Sequence, residues 1–209
     1  MFAQIVSLGQ TCACAHQINR FRLMSAARSR SLPPKRESFL FDWQITPLSA
    51  VVASVSADFA GLFEREDLIV RDGVVVHRRL DIQYPHHFAT LEGVASEATI
   101  DEHFERVRAR HDHLSRKMLS VVNSAGPVLY VVSGEPDTTA SKLLEALGRH
   151  RGHRFHVAFF LTADIEIDLP GDGRLSRHEI VPARKPAATV WEGDDATWLR
   201  GFHSLIPRR

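Results

Sequence analysis

The sequence predicts a three-layer α/β/α domain on a mainly parallel sheet, and three observations predict it. Two short continuous apolar runs, residues 127–132 (PVLYVV) and 156–161 (HVAFFL), are each bounded by turn residues. Helical patterns separate them, with Leu143, Leu144 and Leu147 on one face between the runs. An opening apolar run, Ile5, Val6 and Leu8, stops at Gly9 before a third helical pattern. Strands apolar on both faces, alternating with helices, indicate a parallel sheet covered on both sides.

The elements follow in order. Gly9 suits a tight strand-to-helix turn because it lacks a Cβ and takes positive φ freely. The following helix runs through Ile18, Phe21 and Leu23, and a polar, basic loop is expected from Ser25 to Arg36, carrying Pro33-Pro34. Thr46-Pro47 reads as an N-cap with proline at the first helical position. Leu48, Val51, Val52, Val55, Phe59 and Leu62 then recur at helical spacing, predicting a helix over about 47–62. Asp72-Gly73 between LIV and VVV is a hairpin signal. This hairpin is expected as an insertion or at a sheet edge. Residues 81–88 read as irregular. Thr99 with Glu102 suggests a capping box for an amphipathic helix running to about Val122. A last strand over Arg177 to Val181 and a closing helix from Asp194 or Asp195, with Trp198, Leu199, Phe202 and Leu205, complete one domain over 1–209.

Composition narrows the function classes. The formal charge is only +1 on 209 residues, which gives no global footprint for nucleic acid. The basic clusters at Arg20 to Arg36 and Arg106 to Lys117 are interleaved with apolar positions and read as solvated faces. No apolar run approaches the roughly 20 residues of a membrane helix. No basic stretch followed by an apolar core opens the chain, so no signal peptide is expected. Two cysteines spaced C-x-C make no disulfide framework, and the expected location is cytoplasmic. Neither GxGxxG nor GxxxxGK[ST] occurs, which disfavours nucleotide binding by those routes and leaves no cofactor implied. Cys12, Cys14 and His16 on one helix cannot converge on one zinc ion, so no metal is expected. His111/His113 and His150/His153/His156 lie on charged stretches and read as solvated.

Cys12 is the candidate nucleophile. At a helix N-terminus the free N–H groups and the helix dipole stabilise a thiolate and lower its pKa. Ligands of open parallel sheets sit outside the carboxyl ends of the strands. Those ends carry Gly9, Gln10, Thr11 and Cys12, then Ser133 to Asp137, then Thr162 to Asp164. Gly9, Gln10, Thr11, Ser133 and Gly134 are therefore candidates for an oxyanion site or substrate binding. The competing reading is a small buried thiol under the sheet. Asp42, between Phe41 and Trp43, is either a desolvated carboxylate orienting a histidine or a helix cap. His86 and His87 are candidate bases or surface residues, and His16, one turn after Cys12, is a second candidate base.

The pieces Ser7-Leu8-Gly9-Gln10-Thr11-Cys12, Ser38 to Trp43 with Thr46-Pro47 beyond, the acidic-aromatic patch from Asp58 to Asp67, and Tyr84-Pro85-His86-His87-Phe88 together resemble a family of bacterial and viral proteins. That family is described as papain-like cysteine peptidases, a domain of unestablished function. The match covers about the first half of the chain. The resemblance implies Cys12 as nucleophile, His86 as the better-matching base with His87 as a departure, and Asp42 as third member. Trp43 falls in the matched aromatic segment and is a candidate substrate contact.

The expected function is thus a thiol-dependent hydrolase or acyltransferase acting on an amide, ester or thioester carbonyl. Its substrate is a small molecule, peptide or glycoconjugate, with neither nucleic acid nor membrane as partner. The sequence does not determine an oligomeric state. One alternative is an SGNH-like esterase or acyltransferase, although Gly9-Gln10-Thr11 replaces Gly-Asp-Ser and Trp198 stands where the catalytic histidine belongs. Another is a non-catalytic α/β binding module with an inert Cys12.

Overall fold

A computed structural model describes residues 2–28, 37–88, 93–134, 138–161, 174–179 and 194–206. The large sheet contains β1 (Gln4–Ser7), β5 (Val128–Ser133), β6 (Phe155–Leu161) and β7 (Leu175–Glu179) in that spatial order, every pairing parallel. Its helices are α1 (Ala13–Arg28), α2 (Leu48–Ser56), α3 (Glu97–Val122), α4 (Thr139–Gly148) and α5 (Asp195–Leu205). A second, antiparallel sheet of β2 (Leu68–Arg71), β3 (Val74–His77) and β4 (Ile82–Gln83) lies between α2 and α3 in the chain.

Strand alternation divides the core. Val6, Val128, Tyr130, Val132, Val157 and Phe159 pack against α2, α3 and α4. Ile5, Leu129, Val131, Ala158 and Phe160 face the other way, onto α1 and α5. All six residues of β5 are buried, as expected for a strand covered on both faces. The first half of α3 covers the small sheet through Ile100, Phe104 and Val107, which pack with Leu68, Val75, Ile82 and Phe63. The fold is the expected three-layer α/β/α arrangement with a small antiparallel sheet added.

The hairpin forms as its turn residues dictate. Asp72 and Gly73 both take positive φ, 50° and 76°, which fits the twist of a two-residue hairpin connection. Its third strand, β4, was not expected from the polar segment 81–88. Its burial comes from Ile82 alone, too short a pattern to read as a strand.

Several boundaries differ from expectation. Helix α1 persists through Ser25 to Arg28, so the loop expected from Ser25 starts later, and residues 29–36 lie outside the described ones. Pro47, not Thr46, precedes α2, with no side-chain cap, while Thr46 Oγ1 is buried with no hydrogen-bond partner among the described residues. That helix ends at Ser56 instead of about 62. Asp58, Phe59 and Gly61 take positive φ and turn the chain back, so Phe59 and Leu62 reach the core from a loop. The capping box of α3 lies three residues earlier than Thr99/Glu102. The Ser96 hydroxyl accepts from Thr99 N–H at 3.2 Å, and the Thr99 hydroxyl accepts from Ser96 N–H at 3.1 Å. His111, read as solvated, is buried and stacked on Phe63 with ring centroids 4.6 Å apart. His153 is likewise engaged, its Nε2 lying 2.9 Å from the Tyr130 hydroxyl.

Gly201 lets α5 close on the sheet. A Cβ there would lie 2.5 Å from Phe160 Cε1, beneath the ring that stacks on Trp198 at 4.4 Å. Gly201→Ala is therefore expected to destabilise the protein by about 1–3 kcal/mol through overpacking. A lowered urea midpoint with an unchanged slope is the expected result.

Candidate active site

The carboxyl edge beside β1 is shaped by two close approaches. Gly9 has φ 82°, and a Cβ on it would lie 3.0 Å from Thr46 Cβ and 3.5 Å from Phe41 Cβ. Glycine is thus required both for its conformation and for bringing the 39–46 segment against the turn. The Gln10 amide donates to the Thr46 carbonyl at 3.2 Å and fastens the two segments. Gln10 and Trp43 also hold positive φ, 67° and 63°, a conformation unusual for residues with a Cβ. On the other side of the turn, Thr11 Oγ1 donates to Ser133 Oγ at 3.1 Å. The Gln10 side-chain amide fills the space that a Cβ on Gly134 would need.

Cys12 is the residue immediately before α1, and its carbonyl accepts the first helical hydrogen bond, from His16 N–H at 3.2 Å. It is partly exposed, whereas Cys14 is fully buried in the core under α1. The expectation of a lowered Cys12 pKa is overturned. Burial pushes the thiol above its ordinary value, and the nearby Asp42 charge adds to the rise. The Cys12 amide hydrogen bond acts in the opposite direction but is outweighed. Burial pushes the Cys14 thiol up much further.

Asp42 is 6% exposed, and its Oδ2 accepts from Phe39 N–H at 2.9 Å, closing its own tight turn. Burial raises its pKa to about 6, while that hydrogen bond and the charges of Arg22, Lys117 and Arg110 pull it down. These cations belong to clusters read as solvated faces. In fact Lys117 Nζ donates to the Ser38 carbonyl at 3.0 Å and sits 4.0 Å above the Phe39 ring. Arg22 donates to the Ile5 carbonyl at 2.9 Å on the outer edge of β1.

The two candidate bases are distinguished by their surroundings. His86 is exposed and meets Trp43 edge-on, with ring centroids 6.2 Å apart. His87 is largely buried, lining a small cavity with Leu40, Arg110 and His111, and its Nδ1 has no hydrogen-bond partner among the described residues. Burial lowers its pKa to about 4, helped by the Arg110 and His86 charges, so imidazolium is disfavoured there.

The structure brings Gly9, Gln10, Thr11, Ser133 and Gly134 together, puts Asp42 within electrostatic reach of Cys12, and puts His86 against Trp43. Among the described residues, however, no hydrogen bond joins Cys12 to either histidine, or Asp42 to either ring. Three proposed oxyanion donors are already used, Gly9 N–H donating to Ser7 Oγ at 3.2 Å. Gly134 N–H donates to the Phe160 carbonyl at 3.0 Å, and Gln10 N–H to Thr46. The first-turn amides of α1 have no helical partner and remain as donors. Thr162 to Asp164 and Glu135 to Asp137 lie outside the described residues. Among the described residues, no group of three or more His, Cys, Asp or Glu side chains could hold a metal ion, and no helix is long and apolar enough to cross a membrane.

Sequence reasoning missed Arg110 and Lys117 as electrostatic partners of Asp42. Their spacing of seven on α3 was the available signal, since it puts both on one helix face. Near α5, Asp194 accepts from Thr197 N–H at 2.8 Å as a helix cap, and Asp195 pairs with Arg20 at 2.7 Å. Trp198 is 1% exposed and stacked in the core.

No known protein family, no curated protein and no solved structure matches the chain.

The shifted groups give two opposite stability effects. Asp42 titrates near 6 when folded and near 3.8 when unfolded, so its ionisation costs stability as pH rises through about 6. Asp42→Asn keeps an acceptor for Phe39 N–H, and the variant is expected to be more stable than wild type at pH 8. The gain is up to about 3 kcal/mol, from 1.36 kcal/mol per pKa unit, and it vanishes below about pH 4. His87 and His111 titrate near 4 and 3 when folded, against 6.5 unfolded, so their contribution is complete above 6.5 and is lost on acidification below it. Urea midpoints measured from pH 8 to 4 test both. The expected result is a fall in wild-type stability below about pH 6, with His111→Asn showing a shallower fall.

Proposed function

We propose that the chain is a thiol-dependent hydrolase or acyltransferase in which Cys12 attacks an amide, ester or thioester carbonyl. The observation that carries this reading is the position of Cys12. It is the partly exposed thiol at the carboxyl edge of the parallel sheet, at the head of α1, beside a buried carboxylate and two residues in strained backbone conformations. Strain of this kind, costing about 1–3 kcal/mol per residue, is characteristic of sites held in place for a purpose.

In the proposed reaction Cys12 Sγ forms a bond to the carbonyl carbon while its proton passes to a base. The first-turn amides of α1 stabilise the oxyanion, and the leaving group departs with the proton. Water or an acceptor nucleophile then releases the acyl group from sulfur. His86 fits the role of base better than His87, because burial makes protonation of His87 costly. Trp43 beside His86 offers an aromatic face for substrate, which is a small molecule, a peptide or a glycoconjugate. The raised Cys12 pKa means that the thiol is protonated at rest, so the base must act during attack and not before it.

That same raised pKa, with no imidazole bonded to the sulfur among the described residues, favours a second reading as a non-catalytic binding module. Mass spectrometry after incubation with p-nitrophenyl acetate separates the two. The enzyme reading expects acetyl transfer to Cys12 in wild type and Cys14→Ala, at least tenfold less in His86→Asn, and none in Cys12→Ala. Absence of a Cys12 adduct in wild type supports the binding module. Alkylation by iodoacetamide should still be rising with pH at 9. Asp42→Asn, which removes the neighbouring charge, should accelerate it at pH 8.

A further inference from the structure

A cavity of about 380 Å³ opens where α2, α3 and α4 end, at the amino edge of the sheet and away from Cys12. Its floor is apolar, from Val55, Leu119 and Ala146. Arg149, Arg151, Asp58 and Asn123 supply polar groups to its lining. Arg149 is anchored across the mouth, where its Nη2 donates to Ser56 Oγ at 2.9 Å. Arg151 is exposed.

Helix C-termini carry partial negative charge, and here some of their last carbonyls already have partners. Amides of Ala57, Asp58 and Phe59 take those of α2, Asn123 and Ser124 take those of α3, and Arg149 and His150 take those of α4. Among the described residues neither the Arg149 nor the Arg151 guanidinium hydrogen-bonds a carbonyl of these helix ends. Against them stands a single lining carboxylate, Asp58, whose Oδ1 is 3.9 Å from His150 Nε2. Asn123 Nδ2 donates to the Leu119 carbonyl at 2.8 Å, so its Oδ1 is the pole left for a ligand, and that pole accepts.

The lining therefore asks two things of an occupant. An anionic group satisfies the arginine forks, which match phosphate geometry. Hydroxyl donors satisfy Asp58 and Asn123, which would repel a second anion. A free anion leaves the acceptors unused, and a neutral sugar leaves the cations uncompensated. We infer that this cavity binds a small phosphorylated polyol, its phosphate between Arg149 and Arg151 and its hydroxyls on Asp58 and Asn123. The volume lies at the low end of the range for small-molecule sites, which suits a triose to hexose phosphate.

Calorimetric titration of the full chain with glucose 6-phosphate, inorganic phosphate and glucose tests the inference. Saturable binding of glucose 6-phosphate is expected, weaker binding of inorganic phosphate, and none of glucose. Arg151→Glu, at an exposed position where the fold should persist, is expected to weaken glucose 6-phosphate binding roughly tenfold or more, the loss of a charged hydrogen bond. Asp58→Ala should reduce the preference for glucose 6-phosphate over inorganic phosphate. Cys12→Ala should bind as wild type does, since this cavity does not depend on the proposed thiol chemistry. The inference is overturned by the absence of saturable binding, by an unchanged affinity in Arg151→Glu, or by inorganic phosphate binding as tightly as the sugar phosphate.

Discussion

Everything in this fold depends on β5 being apolar on both faces. A strand with no polar side can lie only between two covered surfaces, so its neighbours must be parallel strands and its covers must be helices. Val128, Tyr130 and Val132 call for one helical layer, and Leu129 and Val131 call for the other. The strand ends are then the open places. The amino edge receives helix C-termini, and the carboxyl edge receives turns and a helix N-terminus. The two candidate sites of the molecule lie on those two edges for this reason.

Charge at the carboxyl edge is arranged around Asp42, not around Cys12. The carboxylate is buried, and three cations from two helices pull its pKa down against that burial. The sulfur sits in the field of that carboxylate and resists losing its proton. An isolated helix N-terminus would have had the opposite effect, so burial of the thiol, with the Asp42 charge added to it, outweighs the local amide. The resting arrangement is a protonated thiol near a carboxylate whose charge state changes close to neutral pH.

Strands β1, β5 and β6 of the large sheet were legible because each is a compact apolar run with turn residues after it, whereas β7 reads LSRHE and carries no such run. The helices α3, α4 and α5 were legible because their apolar spacing is regular and long. What escaped reading turned on tertiary contacts. The apolar spacing of α2 continues through Phe59 and Leu62, yet left-handed residues at 58, 59 and 61 end the helix while both side chains still reach the core. Thr46 looked like a cap, but its hydroxyl is enclosed against Gly9. Position 111 looked polar, but Phe63 supplies a ring to stack on from 48 residues away in sequence. At the candidate site, Cys12, the Gly9 turn and its meeting with Ser133 followed from the strand ends. The ionisation of Cys12 did not, because it is set first by how the fold buries the thiol and then by a carboxylate thirty residues distant in the chain.

Helix α3 runs for 26 residues without glycine or proline, roughly 39 Å at 1.5 Å per residue. Its early turns cover the small sheet, its middle presents Arg110 and Lys117 toward the 38–42 segment, and its last turn borders the cavity between the helix ends. With no hinge along it, this helix behaves as a stiff beam. A tilt of a few degrees at the cavity end would carry with it the mid-helix cations facing Asp42, so the two edges of the sheet are mechanically joined.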